Sequence, residues 1–198
     1  MKLSTLFRLE ENLQLDKKTL VILRYIAIFG QLFAVNVVYN YLNLTFPIKE
    51  SYLIIFIGLS TNFYLQFKVK SNQLKDVYAS FFLIFDLIQL SSLLYLTGGI
   101  LNPFSFLLII PAIVSSTFLS LRSTINLSII TIIILIVLTI YYYPLPHFQE
   151  LHFHVPNYYL YSIPFSIIIG LILLTYFGAR FGLESRKRTG ALNRLELI

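Results

Sequence analysis

Two side chains in this sequence carry a charge where their neighbours are almost wholly apolar: Arg24, in VILRYIAI, and Asp86, in LIFDLIQL. A charge in such a setting is costly and is retained with a partner or a task. Arg24 lies about one turn inside its apolar run, from which its stem can snorkel to an interface. Asp86 lies near the middle of its own run with Gln89 on the same helical face, and is expected either to protonate or to find a partner. At about 1.5 Å of rise per residue the difference in depth is within reach of an arginine side chain, so an Arg24–Asp86 link stands beside the reading of two independent residues.

A second group is Gly98-Gly99-Ile100-Leu101-Asn102-Pro103-Phe104, a connection with no charge. Gly98 and Gly99 suit the left-handed backbone that closes one helix, and Asn102-Pro103 reads as the N-cap and first turn of the next. A tight turn accounts for the glycines, Asn102 and Pro103. It leaves Phe104, and the absence of charge at a water boundary, unexplained. A lipophilic ligand with a flat polar head accounts for both: the amides of Phe104 and Ser105 at a helix N-terminus suit an exposed carbonyl oxygen, Asn102 adds an amide where capping does not consume it, and Phe104 stacks on the ring.

Other patterns carry less. Ser162, Ser166, Gly170, Gly178 and Gly182 recur at multiples of four residues, a spacing that lets helices approach closely, either within one bundle or across a homodimer seam. His147, His152 and His154 beside Glu150 are of the right types for Zn²⁺ or Cu²⁺. An aromatic, proline-flanked boundary loop accounts for them as well, and no metal is expected. Pro111 is expected to bend its helix, with Ser115, Ser116 and Thr117 satisfying the freed carbonyl.

The elements that position these residues follow from composition. Of 198 residues 12% are charged and 57% hydrophobic, against roughly 25% and 45–50% in soluble domains. Lipid is therefore the main solvent, and soluble enzymes are excluded. Cysteine is absent, which removes disulfides, thiolate metal sites and thiol redox chemistry from this chain. Six stretches approach the roughly 20 apolar residues of a helical crossing: 19–42, 51–67, 77–97, 103–121, 125–143 and 159–180. They lack the alternation of outer-membrane strands, so an all-α membrane protein is expected, a six-transmembrane-helix bundle.

The net charge of +6 belongs to the flanks of these segments and calls for no nucleic acid. Lysine and arginine gather in the N-terminal tail, the second and fourth connections and the C-terminal end, whereas the opposite side carries only Lys49. Both termini are thus expected to be cytoplasmic. Residues 1–18 form a cytoplasmic tail without a cleavable signal pattern, 19–180 the membrane domain, and 181–198 the start of a signalling helix, in which Ala191, Leu195 and Ile198 have heptad spacing.

The heptapeptide matches the GGxxNPF pattern of the RegB/PrrB/ActS redox-sensing histidine kinases. The chain resembles the membrane domain of that family over 20–188, including Leu23-Arg24-Tyr25, Gly30-Gln31, Asp86-Leu87-Ile88-Gln89-Leu90 and Pro111 to Thr117. The resemblance implies a multi-pass protein of the bacterial inner membrane. It implies ubiquinone as the sensed ligand, bound at Gly98, Gly99, Asn102, Pro103 and Phe104 and lowering autophosphorylation of an attached kinase. It further implies a homodimer, the lipid and quinone pool as surroundings, and a response regulator reached through the kinase part. No phosphoacceptor histidine or ATP-binding pattern follows Arg188, so only the sensing half is expected here. The alternative is a small transporter or channel with Asp86, Gln89 and the Pro111 bend lining a midplane site. That predicts paired broken helices in two repeats, and the sequence has no internal repeat. A membrane enzyme would need a cluster of acid–base residues that the apolar runs lack.

Overall fold

In hydrocarbon a backbone donor or acceptor has no water to turn to, so the apolar runs close their hydrogen bonds internally as helices. A computed structural model of the chain describes residues 14–146 and 155–195. Within them are α1 (Lys17–Asn36), prolonged by a π-helical turn (Val37–Tyr41), α2 (Ile48–Lys68), α3 (Asp76–Leu96), α4 (Ile110–Phe118), α5 (Leu121–Ile140) and α6 (Asn157–Leu195). Two 3₁₀ segments, Gly99–Leu101 and Pro103–Ile109, lead into α4. The expected all-α bundle of six passes is present. The α1 run, α3, α5 and most of α6 are long and apolar enough to cross a membrane alone. Ser60, Thr61, Asn62 and Gln66 make α2 more polar, and α4 reaches its length through the 3₁₀ segment before it.

Burial confirms lipid as the solvent. Asn62, Ser115 and Thr131 are fully buried, while Phe33 is 72% exposed and Phe177 62% exposed. That is the inverse of a water-soluble domain, and the exposed apolar side chains are the lipid face.

One end of the bundle gathers residues 14–17, 68–76, 117–123 and 178–185. Gln14–Asp16 (β1) pairs antiparallel with Gln73–Lys75 (β2), with Leu15 opposite Leu74, both buried. No strand was expected from the sequence, because three residues beside a helix carry too short an alternation to register. Lys17 Nζ donates to the carbonyl of Val69 at 2.7 Å. The carboxylate of Asp76 accepts from the Ser120 amide at 2.7 Å and the Ser123 hydroxyl at 2.6 Å, fastening α3 to the start of α5. We refer to this as the basic end. At the opposite end the Tyr143 amide donates to the Tyr95 carbonyl at 2.8 Å.

Several expectations are corrected. Pro111 does not bend a continuous helix: it occupies the first turn of α4, where its missing N–H costs nothing, and the chain before it is 3₁₀. Ser116 and Thr117 both donate to the Ile113 carbonyl and Ser115 meets Thr124, so none of the three serves a carbonyl freed by Pro111. The fifth helix starts at Leu121, four residues early, because Ser120 caps it. The sixth helix, whose extension past residue 180 is no correction, runs from Asn157 to Leu195 with Pro164 inside it.

The small-residue stripe of α6 divides. A methyl group on Gly178 would run into the Ser116 hydroxyl and one on Gly182 into the Thr117 carbonyl, so both glycines seat α6 on α4 within the bundle and are not free for a dimer seam. Gly170 has nothing within 4 Å of such a methyl, and Ser166 is exposed with its hydroxyl turned to the Ile163 carbonyl. Ile167 and Leu171 are buried in the core. His147, His152 and His154 lie outside the described residues.

Gly182→Ala should therefore lower stability in detergent by about 1–3 kcal/mol, the usual cost of overpacking against backbone. Gly170→Ala should be neutral or stabilising, since alanine gains about 1 kcal/mol over glycine in a helix. Thermal unfolding of the two variants checks this, and equal effects would refute the division of the stripe.

Candidate functional site

On α1, Val21, Arg24, Ile28 and Val35 are buried, with Gln31 between them on the same helical face. This face meets α2 and α3, so its polar members must be satisfied there. Arg24 is 3% exposed; its Nε lies 2.8 Å and 3.1 Å from the two carboxylate oxygens of Asp86, and Nη2 donates to Thr61 Oγ1 at 2.8 Å. Thr61 in turn donates to the Gly58 carbonyl at 2.8 Å. The guanidinium also lies over the rings of Phe82 and Phe85, at 5.4 and 5.8 Å from their centroids. The geometry thus realises the linked reading of Arg24 and Asp86.

Further along the same face, Gln31 and Gln89 exchange amide hydrogen bonds of 3.2 and 2.8 Å, and the glycine at 58 leaves room for the Gln89 amide. Asn36 accepts from Tyr52 at 3.0 Å. Toward the basic end, Asn62 donates to the Val21 carbonyl at 3.2 Å and Tyr25 to Gln66 at 2.6 Å. The result is a line of polar contacts running the length of α1. Gln89 belongs to it through Gln31, not through Asp86. Sequence reasoning missed Thr61 and Gln31 as partners; Gln31 lies two helical turns from Arg24, and that spacing was the available signal. The line holds a neutralised ion pair and amides, with no nucleophile beside them. Among the described residues no three His, Cys, Asp or Glu side chains are grouped to hold a metal.

The connection between α3 and the fourth pass lies at the opposite end. Gly98 and Gly99 have φ of 109° and 57°, and a methyl on either would meet Leu145 or the Leu138 carbonyl and Tyr142. Only glycine fits both the backbone and the space. Asn102 caps the next segment: its Oδ1 accepts from the Phe104 amide at 2.9 Å, its Nδ2 donates to the Thr97 carbonyl at 3.0 Å and hydroxyl at 2.7 Å, and its own carbonyl accepts from Ser105 at 2.9 Å. This corrects the expectation of free donors. The Phe104 and Ser105 amides and the Asn102 side chain are consumed by the turn. Pro103 takes the first position, and Phe104 is left 44% exposed at the membrane boundary.

Beside this connection a groove of about 470 Å³ opens between α2, α3 and α5. Its polar lining is Glu50, Ser91, Ser92 and Tyr95, its apolar lining includes Ile54 and Val137, and it reaches Leu96 and Leu138 next to the glycines. Both serine hydroxyls donate to the Ile88 carbonyl at 2.8 Å. Tyr95 is held edge-on by Tyr143 at 5.6 Å, and its hydroxyl has no hydrogen-bond partner among the described residues. The groove supplies a free donor where the heptapeptide itself has none.

The family described as the PilS-like transmembrane domain matches residues 17–189. The chain is 32% identical over 176 residues to the sensor histidine kinase RegB of Cereibacter sphaeroides, an alignment that covers 88% of this chain and 38% of that protein. It therefore spans well under half the length of this curated relative. No solved structure matches the chain.

The Arg24–Asp86 geometry sets an asymmetry that mutants can read. Asp86→Leu strands a buried guanidinium and should cost about 3–5 kcal/mol, whereas Arg24→Leu/Asp86→Leu removes both charges and should cost less. Unfolding in mixed micelles measures these and the Arg24→Leu single, and a double variant as unstable as the sum of the two singles would contradict a coupled pair.

Proposed function

The chain belongs to the PilS-like transmembrane domain family, as the membrane sensor domain of a histidine kinase like RegB in a multi-pass protein of the bacterial inner membrane, and from that premise we propose that it senses the redox state of the quinone pool. The observation that carries the reading is the chargeless 98–104 connection, which matches the ubiquinone-binding heptapeptide of the kinases it resembles and leaves the ring of Phe104 exposed to lipid. The fit is aromatic and apolar at the connection itself, whose hydrogen-bond donors are engaged in the turn. Polar recognition of a ubiquinone head falls to the adjacent groove, where the Tyr95 hydroxyl can donate to a carbonyl oxygen and Glu50 can accept from a hydroquinone hydroxyl. A volume of about 470 Å³ lies within the 300–1,000 Å³ range of small-molecule sites.

The basic end faces the cytoplasm on this reading, by the distribution of lysine and arginine. The route to it is short: the fourth pass starts at the heptapeptide, and its far end carries Ser116 and Thr117, against which Gly178 and Gly182 of α6 are seated. Helix α6 continues to Leu195, toward an attached kinase and its response regulator. A homodimer would use the free part of the α6 stripe at Ser166 and Gly170. Oxidised and reduced ligand differ by about one hydrogen bond, of order 1 kcal/mol, whereas full inversion of a two-state equilibrium takes about 5.5 kcal/mol. The response is therefore graded.

Binding of a short-tailed ubiquinone analogue to the chain in nanodiscs tests the reading. Saturable binding is expected, weakened several-fold by Phe104→Ala and by Tyr95→Phe with thermal stability unchanged. Asn102→Ala should instead lose about 1 kcal/mol of stability along with binding, since it removes a cap. Absence of saturable binding to the unmodified chain overturns the proposal.

A further inference from the structure

At the basic end the segment joining α2 to α3 borders a half-open cavity of about 410 Å³. Its lining includes Lys70, Ser71 and Lys75, and its apolar part includes Val69, Leu74, Tyr78 and Phe82. The backbone of Lys75 is fixed: it stands opposite Gln14 in the two-stranded ladder, and its neighbour Leu74 is buried against the bundle. The side chains of Lys70 and Lys75 make no ion pair or hydrogen bond among the described residues. The closest carboxylate in sequence, Asp76, is engaged by Ser120 and Ser123. Lys17, which also lies at this end, is spent on backbone carbonyls.

Two ammonium groups with no ion pair among the described residues therefore share a cavity with two hydroxyl-bearing side chains and an aromatic wall, at the boundary where the apolar surface of α3 begins. A soluble anion would satisfy the charges and leave the exposed ring of Tyr78 uncovered. A neutral lipid would do the reverse. We propose that this cavity binds the headgroup of one anionic phospholipid per chain, with its phosphate between Lys70 and Lys75 and its acyl chains over Tyr78 and Phe82. The buried Phe82 ring, which lines the cavity, also packs on the Arg24 guanidinium, so the bound lipid buttresses the ion pair at the centre of the bundle. The assignment is independent of the quinone reading.

Native mass spectrometry of the protein titrated with phosphatidylglycerol in the presence of excess phosphatidylethanolamine tests it. One phosphatidylglycerol should be retained per chain. Lys70→Gln/Lys75→Gln should weaken that retention roughly thirty-fold, at about fivefold per lysine. Lys18→Gln/Lys68→Gln removes the same charge from this end outside the cavity and should change it less than threefold. All four lysines are exposed, so both variants should keep the helical circular dichroism and unfolding temperature of the unmodified chain. Equal losses in the two variants would mean diffuse surface attraction and would overturn the site, as would no loss in either. Displacement of the lipid by millimolar inorganic phosphate would show a soluble-anion site instead and overturn the lipid assignment.

Discussion

A polar group inside a bilayer has to find its partner within the chain, and that constraint organises this bundle. It explains why α1 carries Arg24, Gln31 and Asn36 along one side and why α2 and α3 answer with Thr61, Asp86, Gln89 and Tyr52. Apolar packing between helices in lipid discriminates weakly, because a leucine is nearly as well accommodated by acyl chains as by another leucine. Hydrogen-bond partners at fixed depths discriminate strongly. The ion pair sets the register of α1 against α3, and the amide pair a few turns away sets it again.

What was legible in the sequence follows the same cost. Arg24 and Asp86 stood out because each is expensive alone, and their pairing was one of the readings open from the sequence. The six passes were legible because an apolar run of that length suits a bilayer and would be insoluble almost anywhere else. The turn chemistry of Gly98, Gly99, Asn102 and Pro103 was legible too, but not its consequence: whether Asn102 keeps an amide for a ligand depends on where Thr97 sits, a relation between two loop residues that spacing does not encode. Gly178 and Gly182 show the limit from another side. Small residues every four positions announce a close approach and do not say to what; α4 of the same chain, not a second copy, fills the space.

The two polar boundaries of the bundle are built differently. At the basic end charge is abundant and part of it is held by specific bonds: Asp76 clasps the start of α5, Lys17 caps the carbonyls that end α2, and a two-stranded ladder ties the first described residues to the α2–α3 segment. These contacts join α1, α2, α3 and α5. At the opposite end the 98–104 connection has no charge and closes on itself through Asn102. An end fastened by charged bonds is a stiffer frame than an end closed by apolar contacts and the neutral hydrogen bonds of Asn102 and Tyr143.

The fourth pass links those two ends, and its backbone is the least relaxed of the six. Seven consecutive residues, Pro103–Ile109, are 3₁₀, whereas such runs rarely exceed three or four residues because side chains three apart eclipse and the hydrogen bonds are poorly aligned. At about 2.0 Å of rise per residue against about 1.5 Å for an α-helix, that segment is some 3.5 Å longer than its α-helical form. The extra length is what lets a pass with only nine α-helical residues bring Thr117 level with Gly182. Seating α6 there leaves no room for a methyl group, so α6 is matched to the extended form of the fourth pass. Any bias at Asn102 or Phe104 that shortened the 3₁₀ segment would withdraw the surface on which Gly178 and Gly182 rest.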